Sequence, residues 1–132
     1  MTKHYIGISG KWAVVLAYGI SESDWDEVEA WLEALGCSPR EMRRAHRVIM
    51  QENSGFTISS ARQRMSVVCI SRATSIEQWW DTLVHELKHV QSHVCDYYDV
   101  PDNGEDASYL IGYMMREIVA RKIANGSMCA DG

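Results

Sequence analysis

The stretch His85-Glu86-Leu87-Lys88-His89 carries residue types at a spacing that could do chemistry. On a helix, residues four apart lie one turn apart on the same face. His85 and His89 can therefore offer two imidazoles to one metal ion, with Glu86 beside it. A zinc-dependent hydrolase needs this set: two ligands and a carboxylate near the metal-bound water. Glu86 would act as the general base and then return the proton to the departing amine. A shuffled chain of the same composition would contain the pattern only about once in seventy. The competing bland reading is a charged helix face with two solvated histidines.

A catalytic zinc usually has three protein ligands and one open position. His93 extends the four-residue spacing, but it stands about 12 Å along the helix from His85. Three stacked imidazoles would have to bend toward one ion from one side, so a ligand from another element is favoured. Glu105 is the expected third ligand. It opens the last helix, after a turn that can fold that helix back over the histidine face. Tyr109 and Gly112 follow on the same side, and the glycine would permit close helix approach. Asp106 and Asp102 are the alternatives, and a plain surface glutamate at a helix N-terminus is the bland one. Tyr109, Tyr113, His93 and Arg116 are candidate oxyanion donors, and the sequence does not choose among them.

These side chains need a frame. Residues 5–8 and 12–18 read as strands around a turn at Ser9-Gly10-Lys11. A helix follows, with caps at residues 21–23, apolar Trp25, Val28, Trp31, Leu32 and Leu35, and a stop at Gly36. Ser38-Pro39-Arg40-Glu41 starts a second helix with a capping box and proline at its first position. Met42, Ala45, Val48 and Ile49 form its expected buried side, Asn53-Ser54-Gly55 its end, and His46 a surface position. Residues 56–59 and 65–71 read as strands joined near Arg62-Gln63-Arg64. The motif helix follows its cap at residues 74–77. Ile76, Trp80, Leu83, Leu87, Val90 and Val94 make an apolar stripe, with His85 and His89 nearly opposite. Asp99 to Gly104 is the breaker. A last helix spans about 105–124, with core positions Ala107, Leu110, Ile111, Met114 and Ile118, a stop at Asn125-Gly126, and a loose tail over 127–132.

The 132 residues are expected to form a single domain spanning 1–132, with 46% apolar residues supplying a moderate core. A formal charge of −5 without a basic stripe speaks against nucleic acid. The N-terminus lacks a signal-peptide pattern, and the longest apolar run is too short to cross a bilayer. Cys37, Cys69, Cys95 and Cys129 are widely spaced and read as small buried residues with reduced thiols, in a cytoplasmic protein without a membrane partner.

The motif residues His85, Glu86 and His89, with Glu105 as a distal glutamate, resemble the gluzincin branch of the zincin metallopeptidases. More of the chain is similar to small single-domain zincin-like proteins often carried by phages and prophages. The similar stretches are Gly55-Phe56-Thr57, residues 66–72, residues 82–89 and residues 105–113. The resemblance implies an α+β, zincin-like fold: a small, twisted, mostly antiparallel sheet packed on helices, with the third ligand on the C-terminal helix. It implies Zn²⁺ as cofactor and a peptide or protein substrate, bound along an edge strand at residues 65–71. The chain departs from larger gluzincins, because Tyr109, not an acid, stands four residues after Glu105. The expected function is a zinc-dependent peptidase. The alternative is a catalytically silent zincin scaffold that binds a protein, or a phage or mobile-element protein with a vestigial site.

Overall fold

The computed structural model describes residues 1–124. Cys129, the stop at Asn125-Gly126 and the expected tail over 127–132 lie outside them. Strands β1 (Thr2–Ile8) and β2 (Trp12–Tyr18) form an antiparallel hairpin. Its turn places Ser9 and Gly10 at positive φ of 52° and 68°. Gly10 bears that conformation without strain, and Ser9 is the less common occupant.

A short 3-10 turn at Glu22–Asp24 leads into α1 (Trp25–Ala34), and α2 (Pro39–Ile49) follows. The α2 start is as the sequence implies. Ser38 Oγ accepts from the Glu41 amide, and the Glu41 carboxylate accepts from the Ser38 amide. Two strands, β3 (Gly55–Ser60) and β4 (Met65–Ile70), precede α3 (Ile76–Tyr98) and α4 (Glu105–Ala124).

The sheet has four strands in the order β1-β2-β4-β3. Its two outer pairings are antiparallel, and the central β2–β4 pairing is parallel. The chain therefore leaves the sheet after β2, runs through α1 and α2, and returns to complete the other half. The sheet is mixed, which hydrophobic runs alone do not reveal. It also corrects one expectation. Residues 65–70 do not form an edge, because β4 is paired on both sides. Its continuous apolar run, Val67 to Ile70, is buried, as suits a strand covered on both faces. The edge beside α3 is β3.

Helices cover both faces. Val14, Leu16, Tyr18, Val68 and Ile70 pack against α3 and α4. Val15, Ala17, Val67 and Cys69 pack against α1 and α2. Leu83, Leu87, Val90 and Val94 of α3 are buried as expected. At the helix start, Trp79 rather than Trp80 is fully enclosed, edge-on to Tyr18, and Ile76 is exposed. On α4, Ala107, Met114 and Ile118 are buried, and Leu110 and Ile111 are half-covered. No helix among the described residues is long and apolar enough to cross a membrane.

Candidate metal and catalytic site

Four sides of α3 meet four different surroundings. Its apolar stripe faces the sheet. At about 100° per residue, His85 and His89 fall on the opposite side. Both are exposed, and their ring centroids are 5.0 Å apart. Glu86, about 100° round from His85, turns toward β3 and is only 5% exposed. The pair of histidines and the carboxylate are thus presented together, with the acid on the sheltered side.

β3 holds Glu86 there. Thr57 Oγ1 lies 2.8 Å from Glu86 Oε1 and 3.1 Å from the Glu86 carbonyl oxygen, so one hydroxyl donor is shared between two acceptors. Two residues earlier on the same strand face is Gly55. A Cβ there would stand 2.8 Å from the Cys69 carbonyl oxygen, and 3.1 Å from both Glu86 Cγ and Thr82 Cγ2. The absence of a side chain at Gly55 is what lets α3 bring Glu86 against the strand. Two residues beyond Thr57 is Ser59, whose Oγ lies 2.6 Å from His93 Nδ1. The same face thus meets α3 at three successive levels. The alternation Gly55-x-Thr57-x-Ser59, small or hydroxylated at every second position, was the available sign of this contact, and sequence reasoning passed over it.

A cavity of about 400 Å³ opens along this seam. From α3 it is lined by His85, Glu86, His89 and His93, and from β3 by residues 55–58. Its far wall is α2, which contributes Glu41, Arg44, Ala45 and Val48. Two hollows flank it. One, of about 360 Å³, shares Gly55, His85 and Glu86 and adds Asp81 and Asn53. The other, of about 250 Å³, shares His93 and adds Ser59, Ala61, Asp96 and Tyr97. Together they trace a groove along the outer edge of β3, whose six residues span about 20 Å.

Charge in the groove is mixed. Burial pushes the His93 imidazole below its ordinary value; the neighbouring His89 adds to this and Asp96 opposes it. The Glu41 carboxyl is held low by the Ser38 amide and hydroxyl. Behind the strand, burial pushes the Cys69 thiol up, with the charge of Glu86 adding to it. Cys69 is therefore an inert packing residue, as expected for a thiol enclosed in apolar surroundings.

The expected third ligand is elsewhere. Glu105 is exposed at the start of α4, and neither hollow that contains His85 includes a residue of α4. Among the described residues, no group of three or more His, Cys, Asp or Glu is placed to hold a metal ion. The turn before α4 is tied to a different flank of α3. Gln91 Nε2 donates to both the backbone oxygen and Oδ1 of Asp102, and Ser92 Oγ donates to Asp102 Oδ2. Gly112 does not serve close helix approach, because a Cβ there would meet nothing within 4 Å. Tyr109, Tyr113 and Arg116 line a separate hollow with Ile8 and Ser9, and Tyr113 donates to the Gly7 carbonyl oxygen. Of the four candidate oxyanion donors, His93 alone lines the histidine cavity.

Comparison with family models, curated proteins and solved structures finds no match to this chain. The chemistry of the site therefore rests on its own geometry.

The donor set fits zinc in part. Two imidazoles on one exposed face suit it, and so does a sheltered carboxylate next to them. The described side chains would supply two of the usual three protein ligands in one place.

Proposed function

We propose that this chain is a metal-dependent peptidase, with His85 and His89 as zinc ligands and Glu86 as general base. The observation that supports this most directly is the Thr57–Glu86 bond. It holds a carboxylate, nearly closed off from solvent, beside two exposed histidines at the wall of an open groove. A surface helix with solvated histidines gives no reason for its one interposed acid to be buried and hydrogen-bonded.

When bound, zinc would lower the pKa of a coordinated water and polarise a carbonyl group. His85 and His89 would hold the ion, and Glu86 would take the proton of the attacking water and pass it to the leaving nitrogen. Thr57 orients Glu86 by donating to one carboxylate oxygen, which leaves the other to face the reaction. An extended peptide would lie along the outer edge of β3, whose backbone has no further strand beside it among the described residues. β3 replaces residues 65–71 in this role. Arg44 and Glu41 on the opposite wall would then meet substrate side chains.

The test is metal analysis and cleavage of a broad peptide library, on protein purified without chelator or nickel-binding tag. We expect one zinc per chain, its loss in His85→Ala and His89→Ala, and cleavage abolished in Glu86→Gln with zinc retained. Stoichiometric zinc with no cleavage would favour the protein-binding scaffold instead. No zinc in the wild type would sink the peptidase reading and leave a metal-free scaffold or a vestigial site.

A further inference from the structure

A chain of hydrogen bonds runs from the middle of the sheet to His93. Trp12 Nε1 donates to Ser66 Oγ at 2.9 Å, Ser66 Oγ lies 2.7 Å from Ser59 Oγ, and Ser59 Oγ lies 2.6 Å from His93 Nδ1. It starts on β2, crosses β4 and β3, and ends on α3. Its direction follows from what each group can do. An indole N–H can only donate, so Ser66 Oγ accepts from Trp12. Ser66 is fully buried, and among the described residues its oxygen has only Trp12 and Ser59 as partners. Its own proton must therefore go to Ser59, because a buried hydroxyl proton without an acceptor is costly. Ser59 in turn has His93 Nδ1 as the acceptor for its proton. His93 Nδ1 is then a lone-pair nitrogen, and the ring's one proton sits on Nε2.

We propose that this relay fixes His93 as a neutral Nε2–H donor to a carbonyl or carboxylate oxygen in the groove, and excludes it as a metal ligand. Metal binding through Nε2 would put the proton on Nδ1; Ser59 Oγ would then accept from both His93 and Ser66, and its own proton would have no acceptor among the described residues. His93 lies one turn beyond His89 on α3, with ring centroids 6.4 Å apart. It lines the same cavity as Glu86. Resting on the peptidase reading, this makes His93 the donor that meets the developing oxyanion, fixed by Trp12, Ser66 and Ser59 as positioning residues.

The relay is decided by two-bond ¹H–¹⁵N correlation NMR on histidine rings. We expect wild-type His93 as a single tautomer with the proton on Nε2, and a mixture of tautomers in Ser66→Ala. On addition of zinc alone, His85 and His89 should take coordination shifts while His93 keeps its Nε2 proton. An Nδ1–H tautomer in the wild type, a zinc-induced coordination shift at His93, or an unchanged tautomer in Ser66→Ala would each overturn the assignment. In zinc-loaded protein, His93→Ala should lower kcat about 10²–10³-fold with zinc content unchanged and KM little moved, and His93→Gln should restore part of it. Unaltered kcat in His93→Ala refutes the catalytic role. If zinc shifts no histidine, the peptidase reading fails instead, and the tautomer still reports on the relay.

Discussion

Replacing Thr57 with valine removes one hydroxyl from the seam between β3 and α3 while keeping the side chain's branched shape. Two acceptors lose their donor, Glu86 Oε1 at 2.8 Å and the Glu86 carbonyl oxygen at 3.1 Å. Glu86 is 5% exposed, so water replaces the lost donor poorly. A hydrogen bond to a charged group contributes about 1.5–3 kcal/mol, and one between neutral groups about 0.5–1.5 kcal/mol. Thr57→Val should therefore cost about 1.5–3 kcal/mol at neutral pH. In the Glu86→Gln background the same change should cost about 0.5–1.5 kcal/mol, because the amide oxygen accepts without charge. The difference, on the order of 1 kcal/mol, is the coupling between the hydroxyl and the carboxylate charge. Urea unfolding of the four proteins measures it, provided that the slope with denaturant stays constant across the set. In zinc-loaded protein, Thr57→Val should also depress kcat, since Glu86 is freed to rotate. An equal cost in both backgrounds would refute the coupling between the Thr57 hydroxyl and the Glu86 carboxylate.

Gly55→Ala should destabilise by about 1–3 kcal/mol, because the new Cβ meets a backbone oxygen that cannot move without shifting β4; thermal or urea unfolding checks this. Peptidase activity should fall with it, as Glu86 and Thr82 are displaced. Glu105→Ala should leave zinc affinity unchanged, and a loss of more than tenfold would mean that α4 swings over the histidines on metal binding. The Asp102 carboxyl is held below its ordinary value by the Ser92 hydroxyl, with the Gln91 amide and Lys88 contributing. A depressed carboxyl stabilises the fold above its unfolded value of 3.8, and that contribution is lost as pH falls through the folded value. The melting-temperature gap between wild type and Asp102→Asn should therefore be widest near neutral pH and close as acid is added below pH 3.8. A constant gap would deny the link.

Much of the frame was legible because local signals agree with the final packing. The Ser38-Pro39-x-Glu41 start, the Ser75 cap and the stripe of Leu83, Leu87, Val90 and Val94 are local in sequence and appear as read. So is the placing of His85 and His89 opposite that stripe. Strand order was not legible, since Val67 to Ile70 reads the same whether the strand is central or at an edge. Only the long-range pairing with Val15 to Tyr18 makes β4 interior. The edge role of residues 65–71 rests on the resemblance alone, as the strand before the motif helix, and the pairing with β2 overrides it. A ligand role for Glu105 requires that the helix after the turn fold back over the histidine face. Here the turn is tied by Gln91 and Ser92, which lie on a flank of α3 away from β3, and α4 packs on α3 and β1. Thr57 and Ser59 were missed because a hydroxyl on a strand reads as ordinary surface until its partner helix is in place.

The rotation of α3 sets how any metal shell could be completed. The face carrying His85 and His89 is bounded on one side by Glu86 and His93 against β3, and on the other by Lys88, Gln91 and Ser92 against the Asp102 turn. Glu86 is committed to Thr57 and His93 to Ser59. A third ligand must therefore come over the open top of the histidine face. Besides Glu86, the carboxylates lining the two hollows that contain His85 are Asp81, one turn before His85, and Glu41, across the cavity on α2. Glu41 is engaged at both ends of the Ser38 capping box, and recruiting it would uncap α2. Asp81 is free of any such tie among the described hydrogen bonds, but it stands eight residues from His89, about 12 Å along the helix, the same separation that disfavours His93; Asp81→Asn is the control to set beside Glu105→Ala. If zinc affinity drops in Asp81→Asn and holds in Glu105→Ala, the ion is bound from one helix face alone. If both leave it unchanged, the third position is filled by Glu41 at the expense of the α2 cap, from outside the described residues, or by water.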